Sequence, residues 1–132
     1  MITGITHMSV LVDDYDEALQ WYTEKLGLEA RMDGAMGEGY RFVTVGVRGQ
    51  SVEMVLHKPS GDRSAREVVE AGEGVQLGVV FGSDSCRSDT EALRSKGVTI
   101  KQGPEDVPWG VQTVFEDPHG NSHVIVEPTH AG

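Results

Sequence analysis

The chain has 132 residues, the length of one ordinary domain, with 21 acidic against 11 basic residues and a formal net charge of −10. An acidic balance without a Lys/Arg run argues against a nucleic-acid surface, and no apolar run reaches the ~20 residues of a membrane span. The opening MITGITHMSV lacks a basic segment followed by an apolar one, and the single cysteine, Cys86, cannot make an internal disulfide, so the expectation is a cytoplasmic protein without a signal peptide.

In chain order, ITHMSVLV (5–12) is an apolar, β-branched run and predicts a strand. A helix follows, capped by Asp13 or Asp14, with Ala18, Leu19, Tyr22 and Leu26 at helical spacing and Gly27 as its stop. Trp21 and Tyr22 are read as core. LEARM (28–32) predicts a short strand, and YRFVTVGV (40–47) and SVEMVLHK (51–58) predict two more around a turn at Arg48–Gln50. The polar stretch 59–74 reads as a linker with a helical turn at Ala65–Glu70. The pattern then restarts. VQLGVVF (75–81) predicts a strand; SDSCRSDTEALRSKG (83–97) predicts a helix capped by Ser83 or Asp84 and stopped by Gly97. VTIKQ (98–102) predicts a short strand, GPEDVPWG a loop, VQTVFE (111–116) a strand, DPHGN (117–121) a turn and SHVIVEP (122–128) the last strand.

The chain is therefore a single domain over 1–132 built as an internal repeat of strand, helix and three strands, with a period of about 70 residues. Module one spans about 1–58, the linker about 59–74 and module two about 75–128. Neither half can bury both faces of its sheet alone; two together can.

The stretches THMSVLVDDYDEALQWYTEKLGLE, YRFVTVG, EMVLHKP, GVTIKQGP, PWG and FEDPHGN carry a resemblance over nearly the whole chain, about residues 4–128. In them the chain resembles the vicinal-oxygen-chelate superfamily: glyoxalase I, bleomycin- and fosfomycin-resistance proteins and extradiol dioxygenases. The resemblance implies an α+β fold in which two βαβββ modules with curled mixed sheets form an open cup, usually in a homodimer. It also implies four inward positions that in the metalloenzymes hold a divalent metal as Lewis acid, one on the first and one on the last strand of each half.

His7 matches the first of these positions. Its counterpart in module two falls on Gly78 if Asp84 is aligned with Asp13, or on Leu77 if with Asp14. Gln76 shares a face with Gly78 but lies one step further out. The last strands place Val55 and Val124 at the remaining positions. His123 and Glu127 have the opposite parity to Val124 and should point away from the cup. Glu53 and His57 flank Val55 on its own face. The usual ligand set is thus incomplete: no cofactor is expected, and a divalent metal would have to be held by His7 with Glu53 or His57.

Each candidate has a plainer reading. His7 is a proton shuttle or ligand, or simply an inward polar residue lining a pocket. Glu53 is a general base or a solvent-facing strand residue. His57 is more simply an exposed strand-end histidine. Arg41 can bind an anionic group bidentately or sit on a rim, one of Arg41 and Phe42 facing the cup. Trp109 can stack on a planar ligand, plug a barrel end or meet a dimer partner. His119 is expected in solvent, Glu127 exposed and Cys86 a surface thiol. The expected function is binding of a small apolar or aromatic molecule by His7, Arg41, Glu53, His57, Gln76, Trp109 and inward apolar residues. The alternatives are a divalent-metal-dependent lyase, isomerase or dioxygenase, and a metal-free acid–base enzyme using His7 or Glu53.

Overall fold

The computed structural model describes residues 1–37, 41–59, 64–70 and 78–129. Module one contains β1 (His7–Leu11), α1 (Tyr15–Glu24), β2 (Glu29–Ala35), β3 (Arg41–Gly46) and β4 (Glu53–His57); α2 (Ala65–Glu70) follows. Module two contains β5 (Val80–Gly82), α3 (Cys86–Ser95), β6 (Thr99–Val107), β7 (Gly110–Glu116) and β8 (Ser122–Pro128). Each module forms a four-stranded mixed sheet, ordered β1-β4-β3-β2 and β5-β8-β7-β6. The first and last strands of a module pair in parallel and the rest antiparallel. This is the α+β architecture that the resemblance implies, with two open sheets and no closed barrel. Among the described residues no helix is long and apolar enough to cross a membrane.

Helix starts and stops follow local chemistry. The Asp14 side chain accepts from the Glu17 amide at 2.8 Å, which decides between the two aspartates. For α3 the expectation fails: the helix begins after Ser85, whose side chain makes no capping bond. The Glu127 carboxylate reaches from β8 to accept from the Cys86 amide at 2.9 Å, an anion at a helix N-terminus supplied by tertiary structure. Gly27 and Gly97 end their helices with φ of 72° and 85°.

Two elements differ from expectation in extent. Module two's first strand starts at Val80 and includes Gly82, not 75–81, of which 75–77 lie outside the described residues. The loop expected after 102 is strand: β6 runs on through Pro104 to Val107, with register shifts against β7. A proline survives there because β6 is an edge strand and the shifts fall beside it, so its missing N–H leaves no central ladder unpaired.

One face of each sheet packs on a helix. Val10, Val43, Val45, Met54 and Leu56 form a core with Ala18 and Tyr22 of α1. Phe115 and Ile125 form a second core with Cys86 and Leu93 of α3. Trp21, Leu26 and Phe81 pack against both, so the modules join through their helical layers. The opposite faces carry His7, Ser9, Leu11, Phe42, Glu53, Val55 and His57 in module one and Gln112, Val114, Val124 and Val126 in module two, all partly or fully exposed. These two uncovered faces are the walls of the cup.

Candidate functional site

Parallel pairing of β1 with β4 places His7 directly beside Glu53. The His7 Nε2 and Glu53 Oε1 atoms are 3.6 Å apart, an ion-pair distance too long for a hydrogen bond. Glu53 is the better held of the two: Thr44 Oγ1 donates to its Oε1 at 2.8 Å and itself accepts from the Met32 amide at 3.0 Å. His7 has Thr6 Oγ1 at 3.0 Å from Nδ1 and the Phe42 ring at 6.1 Å between centroids. Its side chain is 44% exposed against 21% for Glu53. The pair stands at the open edge of an apolar wall and can give and take a hydrogen bond. His57 lies further along the same face, opposite Leu11.

The structure decides between Arg41 and Phe42 in favour of Phe42. Arg41 shares its face with Val43 and Val45 and turns toward α1, where it pairs with Asp16 at 3.1 Å and Asp33 at 2.9 Å over the Tyr15 ring. It is not available to the cup as a ligand-binding residue. Trp109 sits in the β6–β7 turn, exposed, and donates from Nε1 to Gln112 Oε1 at 3.0 Å. Gln76 lies outside the described residues, as does Leu77.

The helix starts fix the repeat register, since Asp14 and Ser85 occupy the same place in their modules. His7 therefore corresponds to Gly78. Gly78 has φ +82°, and a Cβ built on it would lie 1.7 Å from the Ser122 carbonyl oxygen. No side chain fits there. Val55 and Val124 occupy the two last-strand positions and face the cup. Only His7 of the four positions offers a donor, and no cluster of three or more His, Cys, Asp or Glu occurs among the described residues. Among the described residues, those at the four positions do not fit a four-ligand divalent metal centre.

As expected from parity, His123 points away from the cup, but it takes part in a buried network that the sequence did not announce. The Val79 amide donates to His123 Nδ1 at 3.0 Å, which leaves the proton on Nε2. Nε2 lies 2.7 Å from the Tyr22 hydroxyl, which donates onward to Asp117 Oδ2 at 2.6 Å. Asp117 also accepts from the amides of His119 and Asn121 and from Asn121 Nδ2. Burial alone would raise the Asp117 pKa, but the polar partners His123, Tyr22 and Asn121 outweigh it and hold the carboxyl below the ordinary aspartate value. Burial and the Asp117 charge push the Tyr22 phenol well above its ordinary value.

Three expectations fail here for one reason. His119 is fully buried, with Nδ1 accepting from the Asp13 amide at 3.1 Å. The turn that carries it is packed on module one, where Asn121 Nδ2 donates to the Leu11 carbonyl at 2.7 Å. Cys86 is also fully buried, among Thr90, Thr113 and Ile125. Glu127 is half-buried as the α3 cap. All three are polar positions covered by the other end of their module or by the other module. The one legible sign was the DPHGN turn itself, whose Asp117 and Asn121 are placed to bond each other.

Cavities of about 350 and 480 Å³ lie between α3 and the turn that follows α1 and along the β1 and β5 edges, respectively. Neither is lined by His7, Glu53, Val55 or Val124.

Residues 4–125 match the profile of the Glyoxalase/Bleomycin resistance protein/Dioxygenase superfamily. Among solved structures, UcmS2 is 36% identical, with 96% of this chain and 99% of that chain covered and a TM-score of 0.83. A member of that superfamily from Sphaerobacter thermophilus DSM 20745 is 30% identical, covering 96% and 98%, at TM-score 0.81. TnmS3, an antibiotic binding protein from Streptomyces sp. CB03234, is 28% identical, covering 97% and 98%, at TM-score 0.79.

Proposed function

We propose that this chain, which belongs to the glyoxalase/bleomycin resistance protein/dioxygenase superfamily, binds a small apolar or aromatic molecule in its cup without the four-ligand metal site. The observation that carries this reading is the exchange at the metal positions. Val55 and Val124 replace ligands with apolar wall, and Gly78 cannot bear a side chain at all. With Leu11, Phe42, Val114 and Val126 they line faces suited to an apolar body, while His7 and Glu53 supply the few polar contacts that orient it. The likeness to TnmS3 supports binding rather than turnover. A second copy of the chain closes the cup in this reading, since each chain leaves both walls uncovered and Trp109 exposed.

The test pairs elemental analysis with ligand titration. Untagged protein is dialysed against one divalent ion at a time, then titrated with a panel of aromatic natural products and antibiotics with and without chelator. No retained ion and chelator-independent binding are expected, with binding abolished by Val124→Trp in a still-folded dimer. About one tightly held ion per chain, or chelator-sensitive turnover, would instead establish the metal-dependent lyase, isomerase or dioxygenase reading. The juxtaposition of His7 and Glu53 favours a second reading, a metal-free acid–base enzyme. It requires turnover that Glu53→Gln abolishes while ligand binding persists.

A further inference from the structure

We infer that the cavity between α3 and the turn that follows α1 is a second binding site, separate from the cup, for an amphipathic anion such as a medium-chain or aryl carboxylate. Its volume is about 350 Å³, at the small end of small-molecule sites, and its apolar lining comes from Leu26, Leu28, Phe81, Leu93, Phe115 and Ile125. Leu93, Phe115 and Ile125 lie on the helical side of the second sheet, so this cavity and the cup stand on opposite faces of it.

The lining also holds Lys25, Arg48 and Lys96 against one carboxylate, Asp89. In a chain with 21 acidic and 11 basic residues, three cations around one apolar cavity are a local reversal of sign. The two lysines are brought there by a reciprocal exchange. Lys25 Nζ donates to the Lys96 carbonyl at 2.7 Å, and Lys96 Nζ donates to the Glu24 carbonyl at 3.3 Å. Each ammonium has three donors and spends one, which leaves two free on each. Among the described residues neither lysine is paired with a carboxylate, while Asp89 accepts from Ser83 Oγ and Arg48 pairs with Glu29 at 3.6 Å. Capping the helix ends accounts for one bond per lysine. The unspent donors beside an apolar cavity call for an anionic head on an apolar body.

The site is tested by methyl-resolved NMR titration of the full chain with sodium decanoate and, in parallel, decan-1-ol. Decanoate is expected to move the Leu26, Leu93 and Ile125 methyl signals and leave Val55 and Val124 in place. The double substitution Lys25→Gln with Lys96→Gln should weaken decanoate about tenfold and leave decan-1-ol unchanged. Ala92→Trp, made at an exposed helix position on the cavity wall, should abolish the shifts by filling the space. Unmoved cavity methyls at millimolar decanoate would overturn the inference. So would undiminished affinity in the lysine variant or, should that variant not fold, undiminished shifts in Ala92→Trp. Failure of the cup reading would appear separately, at Val55 and Val124.

Discussion

Asp117→Asn isolates the polar joint between the modules. Asp117 Oδ1 accepts two backbone amides, from His119 at 2.9 Å and Asn121 at 2.8 Å, and Oδ2 accepts the Tyr22 hydroxyl at 2.6 Å and Asn121 Nδ2 at 2.8 Å. An asparagine can keep its oxygen toward the backbone pair, but its NH₂ then meets two further donors. Tyr22 cannot redirect its proton to His123, because the Val79 amide holds the imidazole with its own proton on Nε2. Two charge-assisted bonds are lost in a site only 3% exposed, each about 1.5–3 kcal/mol, which gives roughly 3–6 kcal/mol in total. Domains of this size have about 5–15 kcal/mol of stability, so the variant should be near its margin. The folded carboxyl is depressed below its unfolded value. Its contribution is therefore present above the ordinary aspartate pKa and is lost as pH falls through the folded value. Urea unfolding should show the full difference at about pH 7 and a smaller one at about pH 3. A difference under about 1 kcal/mol at neutral pH, or one independent of pH, would refute the assigned network.

Gly78→Ala should cost more than about 2 kcal/mol, since its Cβ would sit 1.7 Å from a backbone oxygen at positive φ, and an unchanged urea midpoint would contradict the β5–β8 geometry. Glu127→Ala removes the acceptor at the start of α3 and should cost about 1 kcal/mol, with faster amide exchange at Cys86 as the local readout. Cys86 should react with a thiol reagent only as fast as the fold opens; prompt stoichiometric labelling in native buffer would show that the thiol is not buried.

Much of the fold was legible along the chain because it rests on local periodicity. Strand alternation, helix spacing and the stops at Gly27 and Gly97 act within a few residues, and the repeat of strand, helix and three strands follows from them. Parity along β4 and β8 also placed Glu53, Val55 and His57 on one face and set His123 against Val124. Where a side chain's role depends on what lies across from it, the sequence is silent. Arg41 or Phe42 could not be chosen without knowing that α1 brings Asp16 to one side. Ser83 and Asp84 were natural caps for α3 until β8 supplied Glu127.

The sequence by itself determined the modules, the parity of their strands and the lack of donors at Val55 and Val124. Each of these depends on residue type and on spacing within one element. Only the tertiary structure decided that His119 and Cys86 are buried, that His7 faces Glu53 across a parallel pair, and that Gly78 has no room for a side chain. The reason is physical: burial and hydrogen-bond partnership belong to pairs of surfaces, and here the surfaces that meet are as distant in sequence as Tyr22 and Asp117.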